Sequence, residues 1–231
     1  MIFFDDYGYP SDQTGDGGDS AVRASLLAMC KSPFMGTFML RKYEIKPGLF
    51  VRHPKQVPWN NYKNLTRDQT ICLVAGLKAT GNWRAVSRMF YSRAKCFFFS
   101  QSTERDYPGT KKYPWPHTMT GGDPVDEGKL RLFDGPDILM PNHVACMILA
   151  GKVKLAYLFL PIGYLFHFIL LFLHSMDAGC EQNQMICECY TLGTLKVFNK
   201  LNHGWEEDSL KYWSERGEVE YHKLLVALVN S

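Results

Sequence analysis

Three short runs of this sequence combine carboxylates, cations and an imidazole in a way that could do chemistry. Asp16-Gly17-Gly18-Asp19-Ser20 is followed one turn on by Arg23, Arg52-His53-Pro54 comes next, and Thr66-Arg67-Asp68-Gln69 completes the set. The first and third runs each open a stretch with helical apolar periodicity. Helix starts display free N–H groups and a positive dipole end, which hold a carboxylate ionised or receive an anionic group. If both helices line one cavity, Asp19 and Asp68 converge there with Arg67, Arg23 and His53. A carboxylate pair, one member raised in pKa and the other kept ionised, is the minimum for acid/base work on a glycosidic bond. On this reading Asp19 is the general acid, Asp68 the base or its orienter, and His53 works beside them. Arg23, Arg67, Arg52, Asp16 and Gln69 position substrate. The competing reading is structural, since Asp and Ser at N-caps and Asp/Arg pairs in first turns stabilise helix ends without any catalysis.

The elements that must position these groups can be read from breakers and caps. Asp19 or Ser20 caps a helix running from Ala21 to Met29. Residues 31–65 carry Lys46-Pro47-Gly48, Pro54, Pro58 and Asn60-Asn61 around Leu49-Phe50-Val51, which predicts loop with at most a short strand or hairpin. Thr66 opens a helix through Ala79 that Gly81 closes, and Asn82 caps a second one to about Phe98; so short a turn predicts an antiparallel pair. Further helices are expected at Asn142–Ala150, Leu155–Ser175, Gln182–Leu201, Glu206–Tyr212 and Glu218–Val229. The fold class is all-α, built from antiparallel helical hairpins with long loops, as a single helical domain over residues 1–231.

Residues 101–137 are rich in Pro and Gly, a long connection of the kind that lines a site. Lys111, Lys112, Tyr113, Trp115 and His117 combine cations with aromatic faces, as sugar-binding platforms do, and Trp115 and His117 join the substrate-binding set. Asp123, Asp126 and Glu127 lack the ordered spacing of a calcium loop and read as a solvated turn.

The chain has 231 residues, 46% hydrophobic and 21% charged, with a formal net charge of +3. That supports a buried core and excludes a mainly disordered chain. The small positive excess and the scattered Arg84, Arg88, Arg93 and Lys95 do not make a nucleic-acid surface, so no nucleic-acid partner is expected. Seven cysteines are an odd number, and most sit in apolar runs, as buried thiols in a reducing compartment do. A zinc site from Cys180, Cys187, Cys189 and His174 is disfavoured, because residues two apart on a helix point about 200° apart. No metal and no cofactor are expected. No secretory signal is visible at Met1–Asp6, and neither a P-loop, a dinucleotide fingerprint, G-x-S-x-G, HExxH nor CxxC occurs.

The run Leu155–Leu173, LAYLFLPIGYLFHFILLFL, follows Lys152 and Lys154. Its length suits a membrane span. Pro161, Gly163 and His167 interrupt it, and Tyr164, His167, Leu171 and His174 share one face, so a buried or membrane-touching core helix is the other reading.

DGGDSAVR, VRHPKQ and LTRDQ in this order resemble a group of uncharacterised bacterial and phage proteins with DGGD[ST]-x-x-R, RHP and [ST]RDQ motifs, themselves similar to α/α-toroid proteins that process carbohydrates. Asp16, Asp19, Arg23, Arg52, His53, Arg67, Asp68 and Gln69 occupy the matching positions, and Pro141-Asn142-His143 resembles a later segment that adds His143 to the binding set. The resemblance implies a partial α/α-toroid array acting on a polysaccharide or other glycan, as a glycoside hydrolase or polysaccharide lyase, in the cytoplasm or a virion. The rival expectation is a non-enzymatic phage-particle or membrane-associated protein, with membrane contact through residues 155–173.

Overall fold

The computed structural model describes residues 1–30, 33–62, 65–94, 139–174 and 182–231. Within them the chain is mostly helical, with ten α-helices and two small two-stranded hairpins.

The first hairpin pairs β1 (Phe3–Phe4) with β2 (Pro10–Ser11). Asp5 sets its turn by accepting the N–H groups of Tyr7 at 3.0 Å and Tyr9 at 2.8 Å, the local bonding that makes Asp a turn residue. Next come α1 (Ser20–Cys30), α2 (Pro33–Arg41), a hairpin of β3 (Glu44–Lys46) and β4 (Leu49–Phe50), α3 (Arg67–Ala79) and α4 (Trp83–Ala94). Arg93, near the end of α4, donates to the hydroxyl of Thr70, near the start of α3. That contact makes α3 and α4 an antiparallel pair.

The spine is α1 against α3. Small residues let the two axes approach, and a Cβ on Gly76 would stand 2.9 Å from the Ser25 Cα. Every side of α3 is covered: Leu73, Val74 and Leu77 enter one core cluster with Ala21, Ala24, Met89 and Cys146. Ile71, Cys72 and Ala75 enter a second with Leu26, Ile186, Phe198 and Leu225. A helix apolar all round is a buried one.

After residue 139 come α5 (Pro141–Ala150), a 3₁₀ turn (Lys154–Phe159), α6 (Leu160–His174), α7 (Gln182–Leu192), α8 (Leu195–Leu201), α9 (Trp205–Glu215) and α10 (Val219–Val229). Three elements differ from the sequence expectation. Residues 33–41, expected as loop, are helical: Pro33 suits a helix's first turn, and burial of Leu40 and Tyr43 outweighs the poor propensity of Gly36 and Thr37. The helix expected over Gln182–Leu201 is two, because Gly193 adopts a left-handed conformation with φ 77° that ends α7. The apolar run begins as 3₁₀, since Pro161 has no N–H to continue an α-helical ladder from the preceding turn. Lys154–Leu173 is long and apolar enough to cross a membrane by length and composition, and 17% of it is buried.

Candidate active site

Five helices present their first turns to one another. Gln69 of α3 donates through Nε2 to Asp19 Oδ1 at the head of α1, at 2.8 Å. Arg67 of α3 reaches Gln184 Oε1 of α7 at 3.4 Å, and the Gln184 amide stands 2.9 Å from His143 Nε2 of α5. Gln182 of α7 donates to Asp208 Oδ2 of α9 at 3.1 Å. Each residue belongs to the start of its helix, so the N-terminal ends of α1, α3, α5, α7 and α9 meet at one end of the molecule.

A cleft of about 440 Å³ opens between three of these ends and one side of α9. Asp19 and Val22 line it from α1, Asp68 and Cys72 from α3, Gln182 to Gln184 from α7, and Asp208, Lys211, Tyr212, Trp213 and Glu215 from α9. Asp19 and Asp68 therefore face the same space. The Thr66 hydroxyl donates to Asp68 Oδ1. Burial, followed by the charge of Asp19 and with a smaller contribution from Asp68, pushes the Tyr212 phenol up to about 12. Tyr212 is thus a protonated donor at neutral pH within electrostatic reach of both carboxylates.

The remaining sequence-expected residues build the support. Asp12 Oδ1 accepts the N–H groups of Thr14 at 2.8 Å and Asp16 at 2.9 Å, which closes the glycine turn. Gly17 donates to Gln56 Oε1 at 2.7 Å, and a Cβ at Gly17 would stand 2.4 Å from the His53 ring, so only glycine seats the turn there. His53 is fully buried. Its Nδ1 accepts the N–H groups of Lys55 at 3.0 Å and Gln56 at 2.9 Å, and Nε2 lies 2.8 Å from Asp5 Oδ2. Burial outweighs the Asp5 charge and holds the imidazole below its usual pKa. A neutral ring with its proton on Nε2 follows. Arg52 donates to Thr66 Oγ1 at 3.0 Å and lies over Trp59, and Trp59 donates to Asp16 Oδ1 at 2.7 Å. His53, Arg52 and Asp16 thus hold the loop that presents Asp19, and none of them lines the cleft.

Arg23 is committed elsewhere. Its guanidinium grips Glu218 of α10 through Nε and Nη2, both at 2.8 Å, with both side chains buried. Although burial alone would lower it, the Glu218 carboxylate keeps Arg23 above its ordinary pKa. Trp115 and His117 lie outside the described residues.

His143 belongs to a second, closed constellation. Its Nδ1 accepts the Met140 N–H at 3.0 Å, and its Nε2 is 3.4 Å from Glu188 Oε2 of α7. Glu188 also pairs with His167 Nδ1 of α6, whose Nε2 meets Thr194 Oγ1 at 2.7 Å. Glu188 and His167 are fully buried. Burial by itself would raise the Glu188 pKa, but the hydrogen bonds and charges of His143 and His167 overcome it and hold the carboxylate down to about 2. His143 is pushed below its usual value, burial outweighing Glu188. Cys30, Cys72, Cys146, Cys187 and Cys189 are free thiols. Among the described residues no group of three or more His, Cys, Asp or Glu is placed to hold a metal ion.

Sequence reasoning missed the α7 and α9 walls of the cleft. Gln182-Asn183-Gln184 at the head of an expected helix was a usable signal for another polar helix end; the helix expected over Glu206–Tyr212 stopped short of Trp213 and Glu215, which α9 includes. Compared with family models, with curated proteins and with solved structures, the chain matches none.

Proposed function

We propose that this protein is a carbohydrate-binding and carbohydrate-cleaving protein of α/α-toroid-like build, acting at the Asp19–Asp68 cleft. The observation that carries the reading is that two carboxylates from two helix ends line one cleft together with side-chain amides of α7 and the exposed Tyr212 of α9. Side-chain amides, carboxylates and a phenol bond sugar hydroxyls, and this cleft supplies all three from Gln182, Gln184, Asp19, Asp68 and Tyr212. The meeting of alternate helix ends at one rim supports the toroid-like arrangement.

Hydrolysis suits this cleft better than elimination. Asp19, Asp68, Asp208 and Glu215 outnumber Lys211 along its walls, and such a lining repels the uronate carboxylate that a lyase must neutralise. The substrate class is a neutral glycan. Asp68, held by the Thr66 hydroxyl beside Arg67, serves as the ionised partner that activates water or receives the sugar cation. Asp19 protonates the leaving oxygen, with Gln69 fixing its carboxyl, and Tyr212 orients a substrate hydroxyl between them.

The test is a panel of neutral oligosaccharides screened for ligand-dependent thermal stabilisation and for release of new reducing ends. Wild type should respond to at least one glycan, and Asp19→Asn and Asp68→Asn should lose cleavage while melting as wild type does. A panel without effect on wild type, or variants as active as wild type, would overturn the proposal.

A further inference from the structure

The outer face of the 3₁₀ turn and α6 is independent of the cleft and is unusually apolar. Leu155 and Leu158 are 93% and 92% exposed, and Leu165 and Phe172 are more than half exposed. Ile162, Phe168, Ile169 and Leu173 extend the same exposed set. A contiguous patch of this kind on a polar-rimmed surface marks a docking site.

The charges around it specify the occupant. From Leu139 to His174 the chain has no carboxylate, and Lys152 and Lys154 directly precede the exposed leucines. Thr194, bonded to His167 of α6, starts α8, which adds Lys196 and Lys200 with exposed Val197 and Leu201 and again no carboxylate. Among the described residues of these elements the charged side chains beside the apolar face are lysines, which complement an anionic lipid surface. A second copy of the chain would set like-charged rims against each other across a twofold axis.

The packing fixes the orientation. Gly163, His167 and Leu171 form a buried stripe at i, i+4 and i+8. A Cβ at Gly163 would stand 2.3 Å from the Ala145 Cβ of α5, and Tyr164 donates to the Leu192 carbonyl at 3.1 Å. Lipid on all sides of α6 would strip Glu188 of one of its two imidazoles and leave His167 without Glu188 and Thr194.

We propose that the 3₁₀ turn and α6 seat this protein in the plane of an anionic membrane surface, with Leu155 and Leu158 inserted and Lys152, Lys154, Lys196 and Lys200 at the headgroups. The test is flotation of the full chain with vesicles of phosphatidylcholine alone and of phosphatidylcholine with phosphatidylserine. Wild type should float with the anionic vesicles, and alkaline carbonate should release it. Leu155→Glu with Leu158→Glu should reduce the bound fraction more than tenfold. Lys152→Glu with Lys154→Glu should weaken anionic-vesicle binding roughly thirtyfold or more. These side chains are exposed, so both variants should keep the wild-type circular dichroism and melting temperature. Failure to float with either vesicle overturns the proposal, as does carbonate-resistant retention, which means a span. A dimer in solution that Leu155→Glu with Leu158→Glu dissociates, without vesicle binding, gives the face to a second copy.

Discussion

Gln184 and Glu188 are one turn apart on α7, yet the first lines an open cleft and the second is sealed between two imidazoles. The two regions use the same chemistry, carboxylates with hydrogen-bonding partners at the meeting of several helices. They differ in who receives the lone pairs. Glu188 has His143 and His167 and no solvent, so its charge is a permanent part of the packing. Asp19 and Asp68 each receive one side-chain donor, from Gln69 and Thr66, and remain only partly buried. A carboxylate becomes available to a ligand when the fold supports it on one side and leaves the other to water.

The largest effect should come from emptying the closed region. Glu188→Ala leaves the buried His143 and His167 rings without their shared acceptor and opens a cavity between them, and should cost about 3–5 kcal/mol of unfolding free energy in urea titration. A loss below about 1 kcal/mol would make the closed cluster no more structural than the open one. Arg23→Ala is next, at about 3 kcal/mol, because it strands the buried Glu218 carboxylate. Adding Glu218→Leu should recover much of that loss, which a double-mutant cycle reads.

Acid should separate the two regions by the pH at which stability falls. Glu188 is ionised in the folded protein down to about 2 against an ordinary 4.5. Its contribution is therefore complete above 4.5 and is lost as pH drops from there towards 2. His143, held below its ordinary 6.5, adds a loss that begins as pH falls under that value, since the unfolded chain takes the proton first. Unfolding free energy measured against pH should show both slopes, and Glu188→Gln should flatten the lower one. The smallest stability effect belongs to the cleft: Asp19→Asn can still accept from Gln69 and should change unfolding free energy by less than about 1 kcal/mol. A larger loss would move Asp19 from the open class to the closed one.

The helices with strong local signals were legible. Thr66, Gly81 and Asn82 bracket α3 and α4 closely, and α10 runs nearly as its apolar periodicity indicates. So was the placement of Asp19 and Asp68 at helix starts. The helical state of Pro33–Arg41 was not, because it rests on burial of Leu40 and Tyr43 beneath distant elements. Glu188 was equally hidden: between Cys187 and Cys189 it carries no spacing that announces two histidines 21 and 45 residues away. The supporting part of His53 was also out of reach, since it depends on a glycine turn folding back over the ring.

By itself the sequence determined the helical class, several helix boundaries and breakers, and an apolar segment preceded by lysines, because these depend on neighbours within a turn or two. The tertiary structure decided which helix ends share a cleft, which carboxylates are sealed, and which face of α6 is left uncovered. Those outcomes depend on solvation, and solvation at any residue is set by every element packed around it.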